Sequence, residues 1–444
     1  MKCWVCQSTE WESFGDINPE RELLCCKECG ALAYRVDPSK EEEIKNYYRH
    51  HYRPAPNIMN LITTGHKRAY IELFLKEFLS TKTSSILHRP MVCGDVGCAT
   101  GYIPHWLRSI GHKATACELT MTYRRFAEHF YGVPVTEELE TKHRYDLITI
   151  YHVLEHLMEP DKKLAHYVSL LAPGGHMLIS VPEWLDTLEE SSGSISGEFT
   201  HLFHKDHINV FTATSLKNLF AHAGLEIVKE DHAIYGQTYL LRQGENVLRN
   251  LTKAEDCKEV MAKVRKQKEA MELFSARKTD EAIRVWPKYP DAWVRKIHED
   301  FSKDRTKQAD TFIEAFKVLP DNLRLKLSFA TWLYMGEELE SALKVFHEII
   351  RFRPNEDVFI FMGWAYAKLN RNAEAIQWFG RAAEMNPLKW GEAMNAIAKC
   401  AVSLPCWEER AEAEAKSALF NKFKPVAALT DPLMEGVGAE EKGG

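Results

Sequence analysis

A short apolar run that ends in a glycine-bracketed turn and continues as an amphipathic stretch constrains the centre of this chain more than any other feature. Met91-Val92-Cys93-Gly94-Asp95-Val96 reads as a buried strand, Gly97-Cys98-Ala99-Thr100-Gly101 as a tight turn, and Tyr102 to Ile110 as the following helix. Glycines at both ends of the turn let the backbone approach a ligand closely, and the helix start offers unpaired amides to an acidic or carbonyl group. A second strand, Lys113 to Cys117, ends at Glu118, which puts a carboxylate 21 residues after Gly97 at the tip of the next strand. There it can accept both hydroxyls of a ribose. From residue 91 onward short apolar runs alternate with amphipathic stretches, the pattern of a doubly wound, parallel α/β sheet with crossover helices. The turn reads Gly-x-x-x-Gly preceded by Asp95, which differs from the Gly-x-Gly-x-x-Gly fingerprint of dinucleotide binding.

At 444 residues the chain exceeds one ordinary core, so about two or three domains are expected. A net charge of -6 gives no global attraction to phosphate backbones; nucleic-acid binding would need a local basic patch, such as Lys67-Arg68 with His50 to Arg53. The opening residues carry no apolar run of signal-peptide length and no segment reaches the ~18 apolar residues of a membrane span, which reads as a cytoplasmic protein. Reduced thiols are the expectation for its 11 cysteines.

Four of those cysteines form two Cys-x-x-Cys pairs, Cys3 with Cys6 and Cys26 with Cys29, separated by 19 residues. Two residues between ligands let a tight turn aim both sulfurs at one ion, and the spacing matches a zinc ribbon over residues 1–36, with Cys25 an alternative to Cys26. Four thiolates close the coordination shell, so such a zinc would be structural. Residues 37–84 read as a tyrosine-rich connector, with Tyr47 and Tyr48 among its aromatics, followed by a lead-in helix from about Asn57 to Leu79.

Over 85–245 the motifs become specific. Asp95 to Tyr102 resembles the first motif of class I methyltransferases, Tyr145 to Leu157 resembles the fourth strand and loop of that family, and Leu170 to Gly175 is similar to its turn into the fifth strand. The resemblance implies S-adenosylmethionine as cofactor, with Asp95, Gly97, Thr100 and Gly101 around its methionine part, Glu118 on the ribose, His152 beside it, and Glu138 as an adenine-side candidate. Methyl transfer to a hydroxyl, amine or acidic carbon needs a base, for which His207, His204 and His156 are candidates in that order. Each histidine alone is more often a loop or core residue. The cysteine module followed by this domain also resembles a group of sugar methyltransferases with an N-terminal zinc domain. Their His-Glu-His segment corresponds to His204-Lys205-Asp206-His207, which has one extra residue and aspartate in place of glutamate.

Beyond residue 250 Pro290, Pro320, Pro354 and Pro387 recur at intervals of 30, 34 and 33. The period resembles the tetratricopeptide repeat, a helix hairpin that buries its apolar face by stacking, and implies an all-α solenoid over 250–425 before a loose tail at 426–444. Such an array implies docking of a protein partner, with dimerisation as the alternative use. The chain as a whole therefore reads as a methyltransferase acting on a small-molecule or carbohydrate acceptor. The alternatives are a repeat scaffold with a vestigial enzyme domain, or a protein or nucleic-acid methyltransferase.

Overall fold

A computed structural model of the protein describes residues 1–14, 21–51, 90–182, 206–231, 236–245, 256–299, 304–352, 354–386 and 389–402, with a few positions between 71 and 78 and Val247. The lead-in helix, His204 and the tail lie outside the described residues or largely so. Two compact units emerge, one holding residues 1–51 and 90–325, the other the helices beyond Lys326.

In the first unit a seven-stranded sheet runs in the order β10-β11-β8-β7-β4-β5-β6. Its strands are β4 (Val92–Val96), β5 (Lys113–Cys117), β6 (Val135–Thr136), β7 (Tyr145–Tyr151), β8 (Leu171–Val181), β10 (Leu225–Asp231) and β11 (Gln237–Gln243). β4 pairs in parallel with both β5 and β7, and β11 enters antiparallel beside β8. Chain order therefore reverses between β4 and β7. In open α/β sheets that switch point opens a crevice at the carboxyl ends of the strands. The strand, turn and helix expected from the sequence stand at this point, the helix running Tyr102–Ser109. Leu147, Ile148, Ile150, Met177 and Ile179 are fully buried, as helices on both faces of a parallel sheet require.

A second, antiparallel sheet has the order β1-β2-β3-β9. β1 (Trp11–Phe14), β2 (Leu23–Cys26) and β3 (Leu32–Tyr34) come from the N-terminal module, but β9 is Asn209–Val210, contributed by the segment after β8. Helix α1 (Glu41–His50) follows the module, with three glutamates in its first turn and Arg49 and His50 in its last, charges that complement the helix dipole.

The helix Cys257–Ser275, capped by the Asp256 carboxylate on the amides of Lys258 and Glu259, lies against the small sheet: Cys257, Val260, Met261 and Val264 share one core with Leu23, Cys25, Leu32, Tyr34 and Val210. The sulfurs of Cys25 and Cys257 meet within this core; two cysteines 232 positions apart lend no spacing signal from which their meeting could be read.

The remaining helices form hairpins with a recurring turn. Arg277, Glu337 and Asn370 each adopt a left-handed backbone, φ 60°, 60° and 59°, and the next amide closes back onto Leu273, Leu333 and Tyr366 respectively, at 2.9, 3.0 and 2.9 Å. That is the Schellman pattern of a helix end. In the second unit Gly363 of helix Glu356–Lys368 faces Phe379 of helix Asn372–Met385, where a methyl group would lie 2.5 Å from the ring. No helix among the described residues is long and apolar enough to cross a membrane.

Candidate active site

The turn after β4 is held from the neighbouring strand. The amides of Gly97 and Cys98 donate to the Cys117 carbonyl at 2.9 and 3.1 Å. Gly97 has φ +67°, and a Cβ on it would sit 2.5 Å from Val153 Cγ2; Gly101 has φ +81°, and its Cβ would meet Ala127 Cβ at 2.5 Å. Both positions therefore require glycine on two counts, conformation and space. The Glu118 carboxylate spans the crevice: the Ala99 amide donates to its Oε2 at 3.0 Å and the Thr120 amide to its Oε1 at 2.9 Å. Each oxygen retains acceptor capacity beyond those bonds. Asp95 and Thr100 are buried beneath the turn, and the Thr149 hydroxyl donates to Asp95 Oδ1.

His152 follows β7 with φ 56°, its amide donating to Ser180 O at 2.8 Å and its Nδ1 lying 3.4 Å from Glu155 Oε1. Glu138 stands apart on the surface, paired with Lys163 at 2.9 Å.

Beyond β7 a short turn carries Glu155 and His156 toward the segment that returns as β9. Glu155 is 1% exposed and His207 4%. Ligating atoms of Glu155, His156 and His207 all lie within 4.8 Å of one another, and the two imidazole rings meet edge to face at 4.9 Å. Backbone bonds fix this meeting: the Ile208 amide donates to the Glu155 carbonyl at 2.7 Å, and the Tyr34 amide donates to the Ile208 carbonyl at 2.8 Å. The Asn209 side chain donates to the Leu157 carbonyl at 2.6 Å. Arg21, stacked over Tyr34 at 4.1 Å, donates to the His207 carbonyl at 2.7 Å. The N-terminal module thus buttresses the histidine segment.

The hydrogen bonds also fix a tautomer. His156 Nδ1 lies 3.0 Å from the Asp206 carbonyl, which can only accept, so Nδ1 carries the proton and, in the neutral ring, Nε2 the lone pair. Tyr48 joins the same bond set, and Tyr47 donates to Asp206 Oδ1 at 3.1 Å. Neither tyrosine was singled out from sequence as a site residue. The only available signal was the density of aromatic hydroxyls in the connector.

Cys3, Cys6, Cys26 and Cys29 converge as well, with sulfurs 3.5 Å apart in the pairs Cys3–Cys29 and Cys6–Cys26. Tetrahedral zinc with Zn–S near 2.3 Å spaces its sulfurs by about 3.8 Å, so the four thiols fit that ion closely. Hydrogen bonds from Cys29 and then Cys3 hold Cys26 well below the usual thiol range. Cys25 points away into the core beneath the Cys257–Ser275 helix, leaving Cys26 as the member of the quartet.

Residues 66–230 match the family model of a methyltransferase domain. The reversed strand order, glycine turn and carboxylate at the end of β5 all fall within that match to a methyltransferase domain. Among curated proteins, the ubiquinone biosynthesis O-methyltransferase of Proteus mirabilis is 28% identical over 97 residues, 19% of this chain and 40% of that protein. The match thus spans less than half of that relative's length. Among solved structures, the 1,6-didemethyltoxoflavin-N1-methyltransferase of Burkholderia thailandensis is 18% identical, covering 53% of this chain and all of that one, with a TM-score of 0.35. A sugar N-methyltransferase from Streptoalloteichus is 16% identical, covering 44% and 96%, with a TM-score of 0.34.

Proposed function

We propose that the protein transfers a methyl group from S-adenosylmethionine to a small-molecule acceptor bearing a hydroxyl, amine or acidic carbon, with carbohydrates the first class to screen. The observation that carries the reading is the Glu155–His156–His207 centre, held beside the β4 crevice by a strand shared with the N-terminal module. When bound, the cofactor supplies an electrophilic methyl group on a sulfonium. Glu118 would accept its ribose hydroxyls, and Asp95, Gly97, Thr100 and Gly101 would surround its methionine part. His152 would flank the cofactor, with Glu138 the adenine-side candidate.

The acceptor's proton would leave to an imidazole of the centre. His156 takes precedence over His207 because its tautomer leaves Nε2 able to accept, with the Glu155 carboxylate 4.0 Å away to favour the resulting cation. His207 is the second candidate; His204 lies outside the described residues. Glu155 and the bonds of Asp206 would orient the ring, which is the work of a base held in a near-attack arrangement.

A zinc ion on Cys3, Cys6, Cys26 and Cys29 would be structural, since four thiolates leave no open position. It would stiffen the ribbon that supports β9. The recurring hairpin turn at Arg277, Glu337 and Asn370 supports a tetratricopeptide-like array, for which docking of a protein partner is the proposed use.

Calorimetric titration of the full chain with S-adenosylmethionine and S-adenosylhomocysteine tests the core of this reading, followed by an acceptor screen with His156→Asn and His207→Asn. Binding with loss of turnover in His156→Asn is expected. A folded protein that binds neither compound would point to a repeat scaffold instead.

A further inference from the structure

We infer that Tyr48, a residue of the connector helix, is a positioning residue that couples the ribose-side carboxylate to the proton-accepting imidazole; the inference rests on the methyltransferase reading above. Its phenol donates to the Asp206 carbonyl at 2.8 Å and its oxygen lies 3.0 Å from His156 Nδ1. With its own proton given to Asp206, that oxygen accepts from His156. The Nδ1 proton therefore has two acceptors, the phenol and the carbonyl. A ring with Nδ1 unprotonated would face the Asp206 carbonyl lone pairs directly. The phenol thus helps to hold the tautomer in which Nε2 carries the lone pair.

At its other end the Tyr48 backbone carbonyl accepts from Thr120 Oγ1 at 2.9 Å, and the Thr120 amide donates to Glu118 Oε1. One residue of α1 (Glu41–His50) is therefore bonded to both the turn that holds the Glu118 carboxylate and the imidazole centre. The ring packs edge to face on His156 at 5.6 Å and on Tyr47 at 5.7 Å, so removal of the hydroxyl alone leaves the packing in place. When the imidazole accepts a proton, the two acceptors on Nδ1 stabilise the cation; without the hydroxyl one of them is lost. Phenylalanine at this position should make the protonated ring less stable.

Among the described residues, the groups facing this ring include the Glu155 carboxylate 4.0 Å from Nε2, His207 at 4.9 Å between centroids, and Asp206 with Tyr47 on its carboxylate. His152 reaches the ring through Glu155, while Arg21 bonds the His207 carbonyl and lies near enough to interact electrostatically with Tyr48 and Asp206. A Tyr48→Phe substitution leaves each of these charged groups in the chain, so the difference between the two proteins reads the hydroxyl and its bonds.

The test is nitrogen-detected NMR of the full chain labelled at histidine, saturated with S-adenosylhomocysteine, with the His156 signal assigned by its loss in His156→Asn. The wild-type ring is expected in the Nδ1–H form. In Tyr48→Phe its protonation midpoint is expected to move down by about one pH unit, the scale of one lost bond to a charged group. An Nε2–H ring in the wild type, or equal midpoints in the two proteins, would overturn the inference. An Nε2–H ring in the wild type overturns the inference even where the variant fails to fold, and Tyr48→Trp, which also removes the hydroxyl, is then measured in place of Tyr48→Phe. Failure to bind S-adenosylhomocysteine would defeat the methyltransferase reading instead, and the tautomer can still be read in the free protein.

Discussion

Glu118→Ala is the perturbation whose consequence follows most directly from the geometry. The carboxylate has two duties. It accepts the Ala99 amide at 3.0 Å and the Thr120 amide at 2.9 Å, and it is the proposed acceptor for two ribose hydroxyls. Hydrogen bonds to a charged group contribute about 1.5 to 3 kcal/mol, so loss of the ribose bonds should weaken S-adenosylhomocysteine binding by roughly 10- to 150-fold. The turn loses its side-chain anchor as well, which costs further affinity through a less ordered loop. Glu118→Gln separates the two duties, because it retains one carbonyl oxygen and should fall between alanine and the native residue. Titration calorimetry at fixed pH and salt measures all three affinities, with thermal unfolding alongside. Unchanged affinity in a folded Glu118→Ala protein would refute the ribose assignment and with it the placement of the cofactor in the β4–β7 crevice.

Gly97→Ala should abolish measurable cofactor binding and lower stability by about 1 to 3 kcal/mol, since the new methyl meets Val153 at 2.5 Å; adding Val153→Ala should restore part of the stability and little of the binding, read by denaturant unfolding. Metal analysis should find one zinc per chain, lost when Cys3 and Cys6 are both changed to serine, and a folded native protein free of metal would remove the ribbon assignment. In the second unit, burial and then Arg351, Arg371 and Arg381 lower the pKa of His347. Because the unfolded chain takes up that proton first, at its ordinary pKa of about 6.5, stability should fall as pH drops below that value. A His347→Gln variant whose melting temperature tracks the native protein through this window would exclude His347 as the source.

The parts of the molecule visible from sequence are those whose information is local. Met91 to Ile110 announces a strand, a turn and a helix because burial, glycine freedom and amphipathic period all act within twenty residues. The cysteine quartet is legible for the same reason: each knuckle is a four-residue turn. What escaped depends on distance or on smallness. Asn209–Val210 is too short to carry a period, so its entry as the fourth strand of the small sheet left no trace. The connector around Tyr48 was polar and irregular in sequence, and only its fold shows that the two hydroxyls turn toward Asp206. Among the histidine candidates, residue type and position put His207 first, His204 second and His156 third, whereas the proposed precedence of His156 rests on a backbone carbonyl fifty positions away.

Sharing β9 between the module and the domain has a consequence for how the chain is made. The first three strands of the small sheet leave the ribosome early, while their partner emerges about 175 residues later. Until then β3 presents an open edge, a template for wrong pairing. Metal capture by the cysteine knuckles could hold the hairpin through that interval, so zinc starvation during synthesis should reduce the yield of soluble protein more than chelation of the finished protein reduces its stability.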